Sequence, residues 1–298
     1  MADNTGVSAL FSMNIEGDAG GDDSQVQSLW FYQTNGGLPS KEYYEEKPIL
    51  DLYTSVVADV LVDIAIHVKD HGDKEKRDII GDIVAEAVEV EQNGWPWPWP
   101  GDDKPKPAPG DGSPDGKTEE PLETRMERLA VKVVNFEREL IRAGADPEYV
   151  TNPHYAYNPY PTEKVDKHLP IIDLRSYLST FDIRHYPVNI TVTHPPYLKS
   201  VSRLVADTPD YVLSGYFATR LGFSYSSALG PKVGIQQATK RLGDALKGIK
   251  KGTEENRSDF CLTAVDGVVG FIAGREYVRE AFSAEAKEDG TNIINGKL

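Results

Sequence analysis

The sequence predicts a mainly α-helical lobe with a few short β-strands, and three observations carry that expectation. Apolar residues recur at helical spacing over long windows: Leu52, Val56, Val60 and Ile64 form one stripe, widened by Tyr53, Val57 and Leu61. The β-prone runs are few and short, such as Leu29-Trp30-Phe31-Tyr32 and Asn189-Ile190-Thr191-Val192-Thr193. Helix-breaking residues stand between the periodic windows, notably Gly144 and Pro209.

In chain order, residues 8–14 are a short apolar run, 17–23 a glycine and aspartate turn, and 25–33 a second strand. Together they form a small hairpin at the edge of the helical body. Asn35-Gly36-Gly37 supplies residues that tolerate positive φ, so the chain turns there. Pro39 and Ser40 follow and open a helix, with Ser40 near its cap. A helix covers 48–68. A second covers 74–91, with Ile80, Ile83, Val84, Ala87 and Val88 inward and acids on a solvated face. Residues 94–118 break the pattern. They are rich in proline and glycine, and the Trp-Pro alternation favours extended polyproline conformation. The segment reads as an inserted exposed loop, or as a ligand for a proline-recognising module.

Residues 119–143 form the next helix, striped by Leu122, Met126, Leu129, Val133, Phe136 and Leu140 and stopped by Gly144. Residues 145–167 read as irregular, with short helices at 162–168 and 173–181 and a strand at 189–193. Two helices at 196–206 and 208–224 are separated by an Asp207-Thr208-Pro209 cap, with Pro209 suited to the first helical position. Helices at 232–249 and 256–287 complete the chain.

Composition excludes several function classes. At 298 residues the chain can bury a sizeable core. A net charge of −15 opposes binding to nucleic acid or to anionic membranes. No run of about 18 apolar residues spans a bilayer. The first residues lack the basic and apolar regions of a signal peptide. The single cysteine, Cys261, has no internal disulfide partner.

Candidate chemistry is sparse. His67 and His71 lie four apart in H-V-K-D-H, the spacing of a helical zinc pair. The inverted zincin motif has Glu where Asp70 stands, and the segment ends a helix, so solvated polar residues are the simpler reading. Gly112 to Thr118 mimics a phosphate loop but has three residues between its glycines instead of four, includes Pro114 and follows no strand. H-E-x-x-H occurs nowhere. His154, His168, His185 and His194 are scattered among turns, and Cys261 has no histidine motif that would make it a nucleophile. Asn189-Ile190-Thr191 and Asn256-Arg257-Ser258 are N-glycosylation sequons.

A set of motifs falls in one order along the chain. Gly36-Gly37-Leu38-Pro39 is followed by Tyr43-Tyr44. Then come Val133-Val134-Asn135-Phe136-Glu137-Arg138-Glu139-Leu140, Tyr157-Asn158-Pro159, Pro170-Ile171-Ile172-Asp173-Leu174, Pro196-Tyr197-Leu198, and Thr208-Pro209 with Tyr216. Cys261, Gly274, Tyr277, Val278 and Phe282 close the series. This order resembles the N-terminal, mostly helical domain of the neprilysin family of zinc metalloendopeptidases, over about residues 8–287, with 94–118 as an insertion and 288–298 as a divergent tail.

The resemblance implies a helical lobe that caps an active site and limits substrates to peptides. In the family, zinc is held by H-E-x-x-H and a downstream E-x-x-x-D motif in a C-terminal lobe, beyond the region matched here. No catalytic, cofactor-binding or metal-ligating residue is therefore carried over. The expectation is a non-catalytic portion, inactive alone, whose partners are a catalytic lobe or a peptide substrate. Cys261 corresponds to a position that pairs with a cysteine of the other half in secreted members. The family is secreted or membrane-anchored, and this chain shows no segment that would place it. The alternative is a free-standing helical binding or regulatory pseudopeptidase module.

Overall fold

The computed structural model describes residues 7–18, 20, 27–71, 121–181, 185–249 and 257–294. The expected helix at 74–91 and the insertion at 94–118 lie outside them. The chain forms two compact units, Met1–Lys247 and Gly248–Leu298.

The first unit contains one four-stranded sheet. Strands β1 (Phe11–Gly17) and β2 (Gln27–Gln33) form the expected antiparallel hairpin, from Phe11↔Gln33 to Gly17↔Gln27. Strand β3 (Pro159–Pro161) pairs antiparallel with β4 (Asn189–Val192), and β4 pairs parallel with β2 through Leu29↔Ile190. The order is β1-β2-β4-β3. The two prolines of β3 fit its edge position, where a strand can lack donors on one side. Phe11 stacks on Phe31 with ring centroids 4.7 Å apart, joining the hairpin to the core.

Helix α1 (Lys47–His71) follows the predicted stripe. Tyr53, Val56, Val57, Val60 and Leu61 are buried. Burying each of the three valines contributes about 1.5–3 kcal/mol. Helix α2 (Leu122–Ala143) packs on α1, and its Met126, Leu129, Val133, Phe136 and Leu140 are also buried. Gly144 ends α2, but not in the left-handed conformation expected of a glycine stop: its φ and ψ are −75° and 157°. Glycine is needed for proximity, because a Cβ there would stand 2.8 Å from the Gln33 side chain. That amide brackets Ala145, donating to its carbonyl and accepting from its N–H at 2.7 Å each.

The stretch expected to be irregular contains two short helices, α3 (Pro147–Thr151) and α4 (Pro153–Ala156), each opened by proline in its first turn. Helices α5 (Thr162–His168) and α6 (Leu174–Ser179) follow, and Asp173 caps α6 through the Ser176 N–H. Helices α7 (Pro195–Asp207), α8 (Asp210–Tyr225) and α9 (Gly234–Leu246) complete the layer. Pro209 is the N-cap residue of α8 instead of its expected first helical residue, so the helix starts one position later, at Asp210; Thr208 still closes α7. Glycines let α8 approach its neighbours. A Cβ on Gly215 would meet Val133 at 3.1 Å, and one on Gly222 would meet Val60 at 2.9 Å.

The second unit holds α10 (Arg257–Ala281) and α11 (Ala284–Ile294). The sequence predicts one helix over 256–287, and that expectation is corrected. The helix breaks at Phe282-Ser283, where the Ser283 hydroxyl accepts the Ala286 N–H at 3.1 Å and starts a new helix that reaches Ile294.

Candidate functional site

The most organised polar site in the described residues is buried between α1, α2 and the turn after β2. Gly36 takes φ 69°, as the Asn-Gly-Gly signal requires. Ser40 caps the short 3-10 helix Lys41–Tyr44 by position, though its hydroxyl bonds the Glu42 carboxylate and no backbone N–H. That turn aims the Tyr44 ring inward. The Glu137 side chain on α2 is 1 % exposed. Its Oε1 accepts from Tyr44 Oη at 2.5 Å, from Tyr53 Oη at 2.8 Å and from the Gly37 N–H at 3.0 Å. Tyr44 Oη in turn accepts from the Gly37 and Leu38 N–H groups at 2.9 and 3.1 Å. Burial, followed by the Glu137 charge, pushes the pKa of both tyrosines well above the usual phenol value. Arg220 supplies nearby positive charge, and its pKa is raised by Tyr216, Glu137, Tyr53 and Tyr44 against the opposing effect of burial.

This carboxylate has no open face for a substrate, so it acts as a clasp. Three donors converge on one oxygen and tie the Gly36-Gly37 turn to two helices. The glycines leave room for it: a Cβ on Gly37 would overlap Tyr53 Oη, and one on Gly36 would overlap Tyr44 Oη. The tyrosine pair and the Glu137 segment are both among the ordered sequence motifs, but nothing in the residues around either points to the other. The available signal was that Glu137 stands four residues after Val133, on the buried stripe of α2.

The other candidate residues stay apart. His67 is exposed on α1; its Nδ1 lies 2.8 Å from the Asp63 carbonyl oxygen and 3.7 Å from the Asp63 carboxylate, which also accepts the Ile235 N–H. The Asp70 and His71 side chains lie outside the described residues. His194 stands at the start of α7, edge-on to Tyr149 at 5.4 Å, and its pKa is lowered by burial and by Lys41. Among the described residues no group of three or more His, Cys, Asp or Glu side chains is arranged to hold a metal ion. No described helix is long and apolar enough to cross a membrane.

Asn189 is exposed at the start of β4, while Asn256 lies outside the described residues. Cys261 is a free, exposed thiol on α10. The same helix exposes Leu262, Val265, Val268, Phe271 and Ile272, with Phe271 fully exposed.

The first unit is thus a helical lobe bearing a four-stranded sheet, with the Glu137 carboxylate closed inside it. Two solved structures share it. The zinc metalloprotease Zmp1 of Mycobacterium tuberculosis, in complex with an inhibitor, matches with a TM-score of 0.65 and 17% identity, covering 96% of this chain and 35% of that one. PepO from Lactobacillus rhamnosis matches with a TM-score of 0.58 and 14% identity, covering 96% and 36%. At these identities the likeness is one of fold. Among relatives, an endothelin-converting enzyme homolog of Locusta migratoria is 28% identical over 174 residues, which is 55% of this chain and 23% of that protein. Neprilysin-1 of Caenorhabditis elegans is 24% identical over 178 residues, 58% of this chain and 23% of that protein.

The family model for the N-terminal part of peptidase family M13 matches residues 1–296. The chain belongs to peptidase family M13, of which it represents the N-terminal domain. It spans about a quarter of the length of the relatives it matches and about a third of the solved chains. The described residues do not fit the zinc ion for which the mycobacterial enzyme is named.

Proposed function

We propose that this chain supplies the non-catalytic, substrate-limiting lobe of a neprilysin-like zinc metalloendopeptidase and is inactive by itself. The observation that supports this most directly is α10. Leu262, Val265, Val269 and Ile272 recur at helical spacing on one stripe, yet all four are exposed. A stripe of this kind gains stability only when covered. In this reading the cover is the catalytic portion of the same enzyme, where metal-activated water attacks the peptide bond. No step of that reaction is assigned to residues of this chain.

The remaining assignments belong to the same reading. Residues 1–287 are one family domain interrupted by 94–118. Cys261 pairs with a cysteine of the catalytic portion, and Asn189 and Asn256 accept N-linked glycans. The test is direct. Purified chain, with and without added zinc, is incubated with an unstructured peptide, and no cleavage is expected. Co-expression with the catalytic portion of a relative is expected to give a complex that Val265→Asp and Val269→Asp disrupt. Zinc-dependent cleavage by the chain alone would overturn the reading.

A second reading, a free-standing binding module, is favoured by the closed clasp and filled core of the first unit. It predicts a monodisperse protein that ignores hydrophobic dyes, whereas the peptidase-lobe reading predicts dye binding at α10.

A further inference from the structure

The segment before β1 is held in an unusual way. Three successive carbonyls each accept one side-chain donor. Arg220 Nη2 donates to the Ser8 carbonyl at 3.2 Å, Tyr216 Oη to the Ala9 carbonyl at 2.7 Å, and Tyr197 Oη to the Leu10 carbonyl at 2.6 Å. The donors come from two helices, α7 and α8, and both tyrosines are essentially fully buried. The Arg220 Nε is buried without a partner, so the clamp holds one donor more than the segment uses. In contrast, among the described residues no backbone carbonyl accepts from the Ser8, Ala9 or Leu10 amide. Val7 is buried, while Ala9 and Leu10 pack against the core edge.

Recognition through the main chain is the way proteins bind extended peptides with little sequence demand. Here it is one-sided, since carbonyls are read and amides are not. We propose that Tyr197, Tyr216 and Arg220 form a peptide-binding clamp, occupied by the chain's own residues 7–10 and open to exchange with an extended peptide of small and apolar residues. This is independent of the peptidase-lobe reading, because no residue of the clamp lies on α10. The tethered segment competes at an effective concentration on the order of millimolar, so an added peptide must reach that range to displace it. Segments of this kind open locally without global unfolding.

The experiment uses the full chain and follows deuterium uptake in the fragment covering residues 7–13. The probe is acetyl-Val-Ser-Ala-Leu-Phe-amide at up to about 10 mM, in the range set by the tether. Uptake in the segment is expected to rise at least two-fold while the α2 fragment is unchanged. A version N-methylated at Ala and Leu should compete equally well. A version whose Ser and Ala carbonyls are reduced to methylenes should not. Without peptide, Tyr216→Phe should speed exchange of the segment about five-fold, the worth of one neutral hydrogen bond. If Tyr216→Phe does not fold, Tyr197→Phe replaces it, with the same expectation. The proposal is overturned if uptake stays flat at 10 mM peptide, if the carbonyl-reduced version competes as well as the parent, or if the segment opens only together with α2.

Discussion

Removing the Tyr53 hydroxyl is the sharpest test of the clasp. Tyr53 is 1 % exposed, and its Oη donates to Glu137 Oε1 at 2.8 Å. Tyr53→Phe keeps the ring, its edge contact with Phe223 at 5.8 Å and its edge contact with Tyr44 at 6.2 Å. What is lost is one hydrogen bond to a charged group, worth about 1.5–3 kcal/mol. No cavity larger than the hydroxyl is left, so the expected destabilisation is about 2 kcal/mol. Glu137→Gln keeps the shape but removes the charge from an oxygen with three donors, and should cost about 3 kcal/mol. The two changes share one partner, so their effects should not add. Chemical denaturation followed by circular dichroism of the wild type, both single variants and the double variant gives the coupling. A coupling of about 1–2 kcal/mol is expected. If Tyr53→Phe costs less than about 0.5 kcal/mol, or if the two effects simply add, the hydroxyl does not owe its worth to the carboxylate and the clasp argument fails.

Four further outcomes follow from the same contacts. Gly37→Ala should destabilise by more than about 2 kcal/mol, because its Cβ overlaps Tyr53 Oη, and Gly37→Ala in a Tyr53→Phe background should recover part of that loss. Tyr44, Tyr53, Tyr197 and Tyr216 all have raised folded-state pKa values, chiefly from burial. Such groups contribute fully below the unfolded value near 10, and stability falls above it by up to about 1.4 kcal/mol per pH unit for each; denaturation midpoints unchanged between pH 9 and 11 would contradict this. Glu45 behaves in the opposite sense: hydrogen bonds first from Arg142 and then from Arg138 hold its pKa at about 2, so its contribution is present above the unfolded value and is lost as pH falls toward 2. Its side chain is half exposed, so solvent screening limits the effect to about 1 kcal/mol or less, and thermal melts of Glu45→Gln and wild type should converge at pH 2 and at high salt. Gly215→Val should separate α8 from α2, since a Cβ already meets Val133 at 3.1 Å, and should lower the melting temperature by several degrees.

Legibility in the sequence followed the range of the physical signal. The stripes on α1 and α2 were readable because burial imposes a period of 3.6 on nearby residues. The β1–β2 hairpin was readable for the same local reason, with period 2. What stayed hidden is long-range. Nothing near Leu29 announces that it pairs with Ile190, and nothing near Tyr44 announces that its hydroxyl meets Glu137. Gly144 stops α2 where the sequence places the stop, but glycine serves two purposes. A helix stop suggests a left-handed residue, but here the missing Cβ makes room for Gln33. The break at Ser283 was visible only as a capping serine inside a stretch that otherwise continues as helix.

The parallel pairing of β2 with β4 also sets a schedule for the ribosome. The hairpin is complete once Gln33 has emerged, but its partner strand begins at Asn189, about 160 residues later. At about 5–20 residues per second, translation leaves the β2 edge uncovered for roughly 8–30 s. During that time Trp30 and Phe31, both buried in the finished sheet, sit on a strand with unpaired N–H and C=O groups, the kind of surface that recruits other chains. Any pause between residues 34 and 189 prolongs that exposure, so the yield of folded protein should depend on synonymous codon choice in this interval more than in the helices that follow.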